Sequence, residues 1–224
     1  MKLQYFGDSQ DSFKWDYHDY LTDILGFETL NILLMLTPDD GTSAGSTKPT
    51  LFPARSEIIE FCNKIKEIQD VNLLEDLPLF LDSNYKVHLH EKNNSFLNRE
   101  KYFSGIKNIE NQVIFVDPDN GFEPSKKYSS KHIRYKELSM ILHQITENSV
   151  ISVFQHFRRI SFIEDFNKIQ NQILDYIPSA KIAAIYWHKL MFVLITKSEE
   201  TYNKIVQANI EYARRCPVKN INFR

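Results

Sequence analysis

Short apolar runs rich in β-branched residues alternate along this chain with stretches whose apolar positions recur every three or four residues. That alternation is the pattern of βαβ units stacked about a mostly parallel sheet. Lys2 to Phe6 reads as a first strand stopped by Gly7-Asp8, and Phe13 to Leu25 as a helix ending at Gly26. Leu30 to Leu36 is nearly continuously apolar, as expected of a strand covered on both faces. It runs into Thr37-Pro38-Asp39-Asp40-Gly41, and the Thr42 to Pro53 stretch that follows is too polar to pack and too long for a tight turn.

Ser56 with Glu57 opens a helix through Ile68, Tyr85 to Leu89 alternates like a half-exposed strand, and Phe96 to Ile106 reads as a helix. Val113 to Val116 is a second buried strand, leading into the sharp turn Asp117-Pro118-Asp119-Asn120-Gly121. A helix around Tyr135 to Thr146, a third buried strand at Val150 to Phe154, and a helix at Phe162 to Tyr176 come next. Lys181 to Tyr186 and Leu190 to Thr196, separated by Trp187-His188-Lys189, predict an antiparallel hairpin. Glu199 to Arg215 is a long helix, and Val218 to Phe223 a last edge strand. The expected fold class is therefore α/β: a mostly parallel Rossmann-like sheet with helices on both faces and an antiparallel C-terminal hairpin.

At 224 residues the pattern fits one domain, 1–224, with a mobile loop at about 38–54. A formal net charge of −2 supplies no global positive field, so any contact with nucleic acid must be local. The stretch from Met1 to Asp11 lacks a basic start followed by an apolar block, and no later run approaches the roughly 20 apolar residues of a membrane span. A cytoplasmic protein with no membrane partner is expected. Cys62 and Cys216 lie far apart without zinc-type spacing and read as packing residues.

In open parallel sheets ligands bind outside the carboxyl ends of the strands, where loops and helix N-termini converge. The predicted strand ends supply Gly7, Asp8 and Asp11, then Asp39 and Asp40, then Asp117, Asp119 and Asn120, and finally Gln155 with His156. Any one such cluster is also what turns and helix caps are made of. The turn at Asp117 stands out because a buried strand delivers two acids and an amide to one place, and desolvated acids are costly. His156 is a candidate acid or base, or a structural hydrogen-bonding histidine. His88 and His90 share a strand face without an evident third ligand, which favours an exposed face over a metal pair. Arg158 and Arg159, with Lys126, Lys127, Lys131 and Arg134, form either a basic rim or ordinary solvated charge.

The layout resembles that of class I S-adenosylmethionine-dependent methyltransferases, in which parallel strands are followed by an antiparallel hairpin strand. Phe6-Gly7-Asp8-Ser9-Gln10-Asp11-Ser12-Phe13-Lys14 resembles the Gly-Asn-x-x-Asp-x-x-Lys opening of bacterial ribosomal-RNA adenine N6-methyltransferases, with Gly7, Asp11 and Lys14 on matching places. Asp117-Pro118 resembles the start of their Asp-Pro-Pro-aromatic motif. Asp119 stands where that motif has its second proline, and Asn120 where it has the aromatic residue that stacks on the target adenine. Tyr-Phe-Gly-Asp near the start and Asp-Pro-Asp-Asn-Gly in the middle are also similar to a bacterial group that implies no particular activity.

The resemblance implies S-adenosylmethionine as cofactor, held by Gly7, Asp8, Asp11 and Lys14 and by Asp39 or Asp40. Asp117, Asp119, Asn120 and His156 would form the catalytic side, acting on a nucleobase within a nucleotide-like or nucleic-acid substrate, or on a small molecule. Two other functions are compatible with the residues. Asp8, Asp117 and Asp119 are hard oxygen ligands that could share magnesium (Mg2+) in a nuclease or phosphodiesterase, helped by Lys14, Arg158 and Arg159. The departures from the catalytic motif also fit a catalytically silent interaction protein.

Overall fold

The computed structural model describes residues 2–39, 41, 47–90, 99–106 and 109–222. In chain order its elements are α1 (Ser9–Ile24), β1 (Thr29–Leu34), α2 (Ser56–Ile68), α3 (Leu77–Phe80), β2 (Lys86–Leu89), α4 (Arg99–Ser104), β3 (Val113–Asp117), β4 (Gly121–Phe122), β5 (His132–Ile133), α5 (Tyr135–Gln144), β6 (Val150–His156), α6 (Phe162–Tyr176), β7 (Lys181–Trp187), β8 (Leu190–Thr196), α7 (Glu199–Ala213) and β9 (Lys219–Asn222).

Seven strands form one sheet in the order β2-β1-β3-β6-β8-β7-β9. The first four are mutually parallel, and β8, β7 and β9 continue the sheet antiparallel, so the Rossmann-like class with a C-terminal hairpin is the fold. Alternation along each strand sends side chains to two cores, because successive residues of a strand point to opposite faces. Leu30, Ile32, Phe115 and Phe192 meet α1, α2 and α7 on one face. Leu33, Ile114, Val116, Ile151 and Val193 meet α4, α5 and α6 on the other. No helix among the described residues is long and apolar enough to cross a membrane.

Three expectations need correction. Lys2 to Phe6 is not a strand: Leu3–Tyr5 is a turn of 3-10 helix. The Asp8 cap draws the stretch into the entry of α1, where Phe6 is fully buried. Of the helix expected at Phe96 to Ile106, Arg99–Ser104 is helical and Gly105 and Ile106 are not, and residues 96–98 lie outside the described residues. The stretch read as unpacked between Thr42 and Pro53 is anchored at its end: Phe52 is inaccessible to solvent and sits against Phe13 and Trp187, with ring centroids 4.8 and 5.0 Å away. Residues 40 and 42–46 of that loop lie outside the described residues.

From β1 the chain crosses through α2 to β2 on one side, then returns through α4 to β3 on the other. The strand order therefore reverses at β1 and β3, and the carboxyl ends of these two neighbours mark the topological switch point.

Candidate functional site

Register sets what stands at that switch point. Leu34 pairs with Asp117, and the Met35 amide donates to the Asp117 carbonyl at 3.2 Å, so the last residue of β3 faces the end of β1. Into this place comes the start of α1, the helix that precedes β1 and runs against it. Asp8 caps α1 by accepting from the amides of Gln10 at 2.7 Å and Asp11 at 3.0 Å. Gly7, at φ +80°, lets the backbone press against α2, where a Cβ would collide with the Cys62 carbonyl. Its amide donates to Asp11 Oδ2 at 2.8 Å.

Two turns of helix then place Lys14 over the end of β3. Its Nζ lies 2.9 Å from Asp117 Oδ2 and 3.0 Å from Asp11 Oδ1, and 4.9 Å from the centre of the Phe154 ring. Residues 103 apart in sequence are thereby joined in a buried ion cluster. Burial by itself disfavours the Lys14 ammonium, but the charges of Asp11 and Asp117, the hydrogen bond it donates to Asp117 and the charge of Asp8 outweigh it and raise its pKa. Asp8 goes the opposite way from an ordinary carboxylate: burial first, and then the charge of Asp11, push it up to about 7 against the pull of Lys14.

The turn after β3 is held by its own ion pairs. Asp119 Oδ2 accepts from Thr37 Oγ1 at 3.0 Å and lies 3.5 Å from Lys131 and 4.0 Å from Lys2. Asn120 is exposed, and its main chain ties the turn down, donating to the Lys131 carbonyl and accepting from the His156 amide. Asp39 is exposed and accepts the Gly41 amide at 2.8 Å, a local turn contact away from the cluster. Asp40 lies outside the described residues. Gly7, Asp8, Asp11, Lys14, Asp117 and Asp119 are thus brought to one rim, while Asp39 is not part of the cluster.

The space beside this cluster is a cavity of about 570 Å³ between the first turn of α1 and the turn joining β7 to β8. Such a volume lies in the usual range for small-ligand pockets, roughly 300–1,000 Å³. Ser9, Gln10, Thr47, His156, His188 and Lys189 offer polar groups, and Leu51, Trp187 and Leu190 an apolar wall. Asp8 lies just behind: Thr47 Oγ1 is 3.0 Å from Ser9 Oγ and donates to Asp8 Oδ2 at 3.5 Å. Of the residues singled out from sequence, His156 alone lines the cavity itself. Trp187, His188 and Lys189 were missed, while Thr47 falls in the loop expected at about 38–54. An aromatic and two basic residues in a hairpin turn beyond the parallel strands were the available signal.

Among the described residues no three of His, Cys, Asp or Glu stand close enough to share a metal ion. Lysine ammonium groups sit between the acids: Lys14 between Asp11 and Asp117, and Lys2 and Lys131 against Asp119. The basic side chains noted in the sequence divide between roles. Arg158 is fixed by hydrogen bonds to the Phe122 carbonyl and Gln155, and Arg134 lies 4.7 Å from the centre of the Tyr128 ring, while Arg159 and Lys126 are exposed.

No family model and no curated protein matches the chain. Among solved structures it is similar to one described as a "putative rRNA-methylase" from Clostridium thermocellum, at 11% identity over 80% of this chain and 95% of that one, with a TM-score of 0.31. Similarity of that degree says nothing about activity.

Proposed function

We propose that this protein is a methyltransferase-like enzyme that binds S-adenosylmethionine at the carboxyl rim of its sheet and acts on a nucleobase or a small molecule. The observation that carries this is the meeting of the two stretches that resemble the methyltransferase motifs. Residues 7–14 and the Asp117 turn, far apart in sequence, share one buried ion cluster at the topological switch point, with Lys14 Nζ 2.9 Å from Asp117 Oδ2. The adjoining cavity fits the cofactor's chemistry: Trp187, Leu51 and Leu190 suit a flat base, and Ser9, Gln10 and Thr47, at the positive end of α1, suit its charged amino-acid end.

When bound, the cofactor would supply an electrophilic methyl group on a sulfonium. The protein's own residues would do the rest. Lys14 and Asp117, both buried, hold the rim rigid and act as positioning residues. Asp8 and His156 are the groups beside the cavity able to hold or take a proton from the attacking nucleophile. Asn120 is exposed and carries no ring, so it offers no platform for a target base.

Calorimetric titration with S-adenosylhomocysteine tests this. Saturable binding is expected, with a rise in thermal stability corresponding to about 2.7 kcal/mol at a hundredfold excess over Kd. Neither heat nor a melting shift at about 1 mM ligand would overturn it.

The silent-interaction and magnesium phosphodiesterase readings have less support. Of the acids on which the second depends, Asp117 is already engaged by Lys14, Asp119 lies against Lys2 and Lys131, and Asp8 caps α1.

A further inference from the structure

The cavity at α1 has two unlike ends. At the α1 end the backbone donors are already used: the amides of Gln10 and Asp11 go to Asp8, and the Ser9 amide goes to Thr47 Oγ1 at 3.3 Å. At the other end the two-residue turn between β7 and β8 supplies His188 and Lys189, and β6 ends beside it at His156. Register fixes this neighbourhood. His156 and Trp187 both pair with Leu190, so the three side chains stand on the sheet face that meets α1, and the Lys189 carbonyl accepts the Phe157 amide at 2.9 Å.

Among the described residues, the ionisable groups lining the cavity are two imidazoles and an ammonium, with no carboxylate. Lys189 enters no ion pair and neither ring nitrogen of His188 has a hydrogen-bond partner among those residues. His156 Nδ1 lies 3.2 Å from the Phe157 carbonyl, which can only accept, so Nδ1 carries a proton and Nε2 is left uncommitted. The turn is also built from unsuitable residues. His188 sits at φ +50°, in the left-handed region that Asn and Gly supply in two-residue hairpins with less strain. A strained backbone that sets two basic side chains facing a cavity is better explained by what those side chains bind than by the needs of the turn.

We propose that His188 and Lys189 form a phosphate subsite at this end of the cavity, and that the molecule accepting the methyl group carries that phosphate. The second half rests on the methyltransferase reading, because S-adenosylmethionine has no phosphate of its own. The Lys189 ammonium and the His188 ring donate to separate phosphate oxygens, and charge-assisted bonds of this kind are the strong ones. His156, next to them across the β6–β8 ladder, is left to handle the proton. A free phosphomonoester and the backbone of a nucleic-acid strand share this chemistry, and the experiment separates them.

The full chain is titrated with inorganic phosphate, ribose 5-phosphate and a short single-stranded RNA at constant ionic strength, following the His156 and His188 ring resonances and the Lys189 amide by NMR. Saturable shifts with phosphate but not with chloride are expected, and His188→Gly and Lys189→Ala should each weaken phosphate about tenfold or more. Glycine accepts the left-handed backbone, so the melting temperature of His188→Gly should stay close to that of the unaltered protein, which separates loss of the site from loss of the fold. Tighter binding of ribose 5-phosphate than of RNA would identify a small phosphorylated acceptor, and the reverse a strand; both support the subsite. No response to phosphate in the millimolar range, a response equal to that of chloride, or an affinity unchanged in both variants would overturn it. Binding of S-adenosylhomocysteine without a phosphate response overturns this inference alone. A phosphate response without S-adenosylhomocysteine binding leaves the subsite standing and overturns the methyltransferase reading, and with it the assignment of the phosphate to a methyl acceptor.

Discussion

Water would hold the Lys14 ammonium at no cost, and in its absence three carboxylates do so. The cluster is accordingly sensitive to loss of the cation: Lys14→Met leaves Asp11 and Asp117 buried beside an apolar side chain. Equilibrium denaturation should show a loss of about 3–5 kcal/mol. Asp8 is sensitive to pH instead. Folding raises its pKa from 3.8 to about 7, so the protonated form is favoured, and that stabilisation is complete below about pH 4 and lost as pH rises through about 7. Asp8→Asn keeps a capping oxygen and removes the titration. It should raise stability by on the order of 1–3 kcal/mol at pH 8 and leave it unchanged near pH 4, as measured by thermal melts across that range.

His18 has the opposite sign. Its Nδ1 lies 2.7 Å from the Lys14 carbonyl, which can only accept, so Nδ1 carries the proton and Nε2 accepts from Ser152 Oγ at 2.8 Å. Burial foremost lowers its pKa to about 3, so stability is lost as pH falls from about 6.5 toward that value. The chemistry of single residues, acid beside lysine and acid at a helix cap, was legible in the sequence. Which acid stays charged was not, because burial and neighbours set it.

Among the elements, α1 departs furthest from what its sequence suggests. Twelve of its 16 residues are buried, Asp16, His18 and Asp19 among them. Each is compensated from elsewhere. Asp16 takes Arg55 Nε at 2.7 Å and the Tyr212 hydroxyl at 2.5 Å, and Asp19 takes Arg55 Nη2 at 2.7 Å, the Ser83 hydroxyl at 2.8 Å and the Tyr85 hydroxyl at 2.9 Å. Periodicity located the helix to within a few residues but could not reveal its environment, since Arg55 and Tyr212 are distant in sequence.

The small β4–β5 arm is a similar case. Two-residue strands carry no pattern, and the arm is fixed by Gln155, whose Oε1 accepts the Phe122 amide at 2.9 Å. Gly121, at φ +105°, allows that approach, and a Cβ there would strike the Gln155 side chain. Gly121→Ala should therefore cost at least about 1–3 kcal/mol in chemical denaturation and disturb the amide resonances of Phe122 and Ile133.

Over the whole molecule, the two cores flank a sheet whose middle strands are buried on both faces. Every residue of β3 and β8 is inaccessible or nearly so, whereas Lys86 and His88 of β2, and Lys219 and Asn222 of β9, face solvent at the edges. Hydrogen exchange should be slowest in β3, β6 and β8 and fastest, among the strands, in β2 and β9. Equal protection across the sheet would contradict the strand order.

Hydrophobic periodicity settled, without any tertiary information, the longer helices and strands from α1 onward and their alternation about a mostly parallel sheet, though not the 3-10 turn at Leu3–Tyr5, α3 or the β4–β5 arm. It does so because the period of apolar residues is a local record of which side chains turn inward. Only the folded molecule decided that the sheet starts at Thr29, that β1 and β3 become neighbours, and that Lys14 closes over Asp117. Partners 103 or 196 positions apart leave no mark on each other's local sequence, and the need of a buried charge for a counter-charge does not say which residue will answer it.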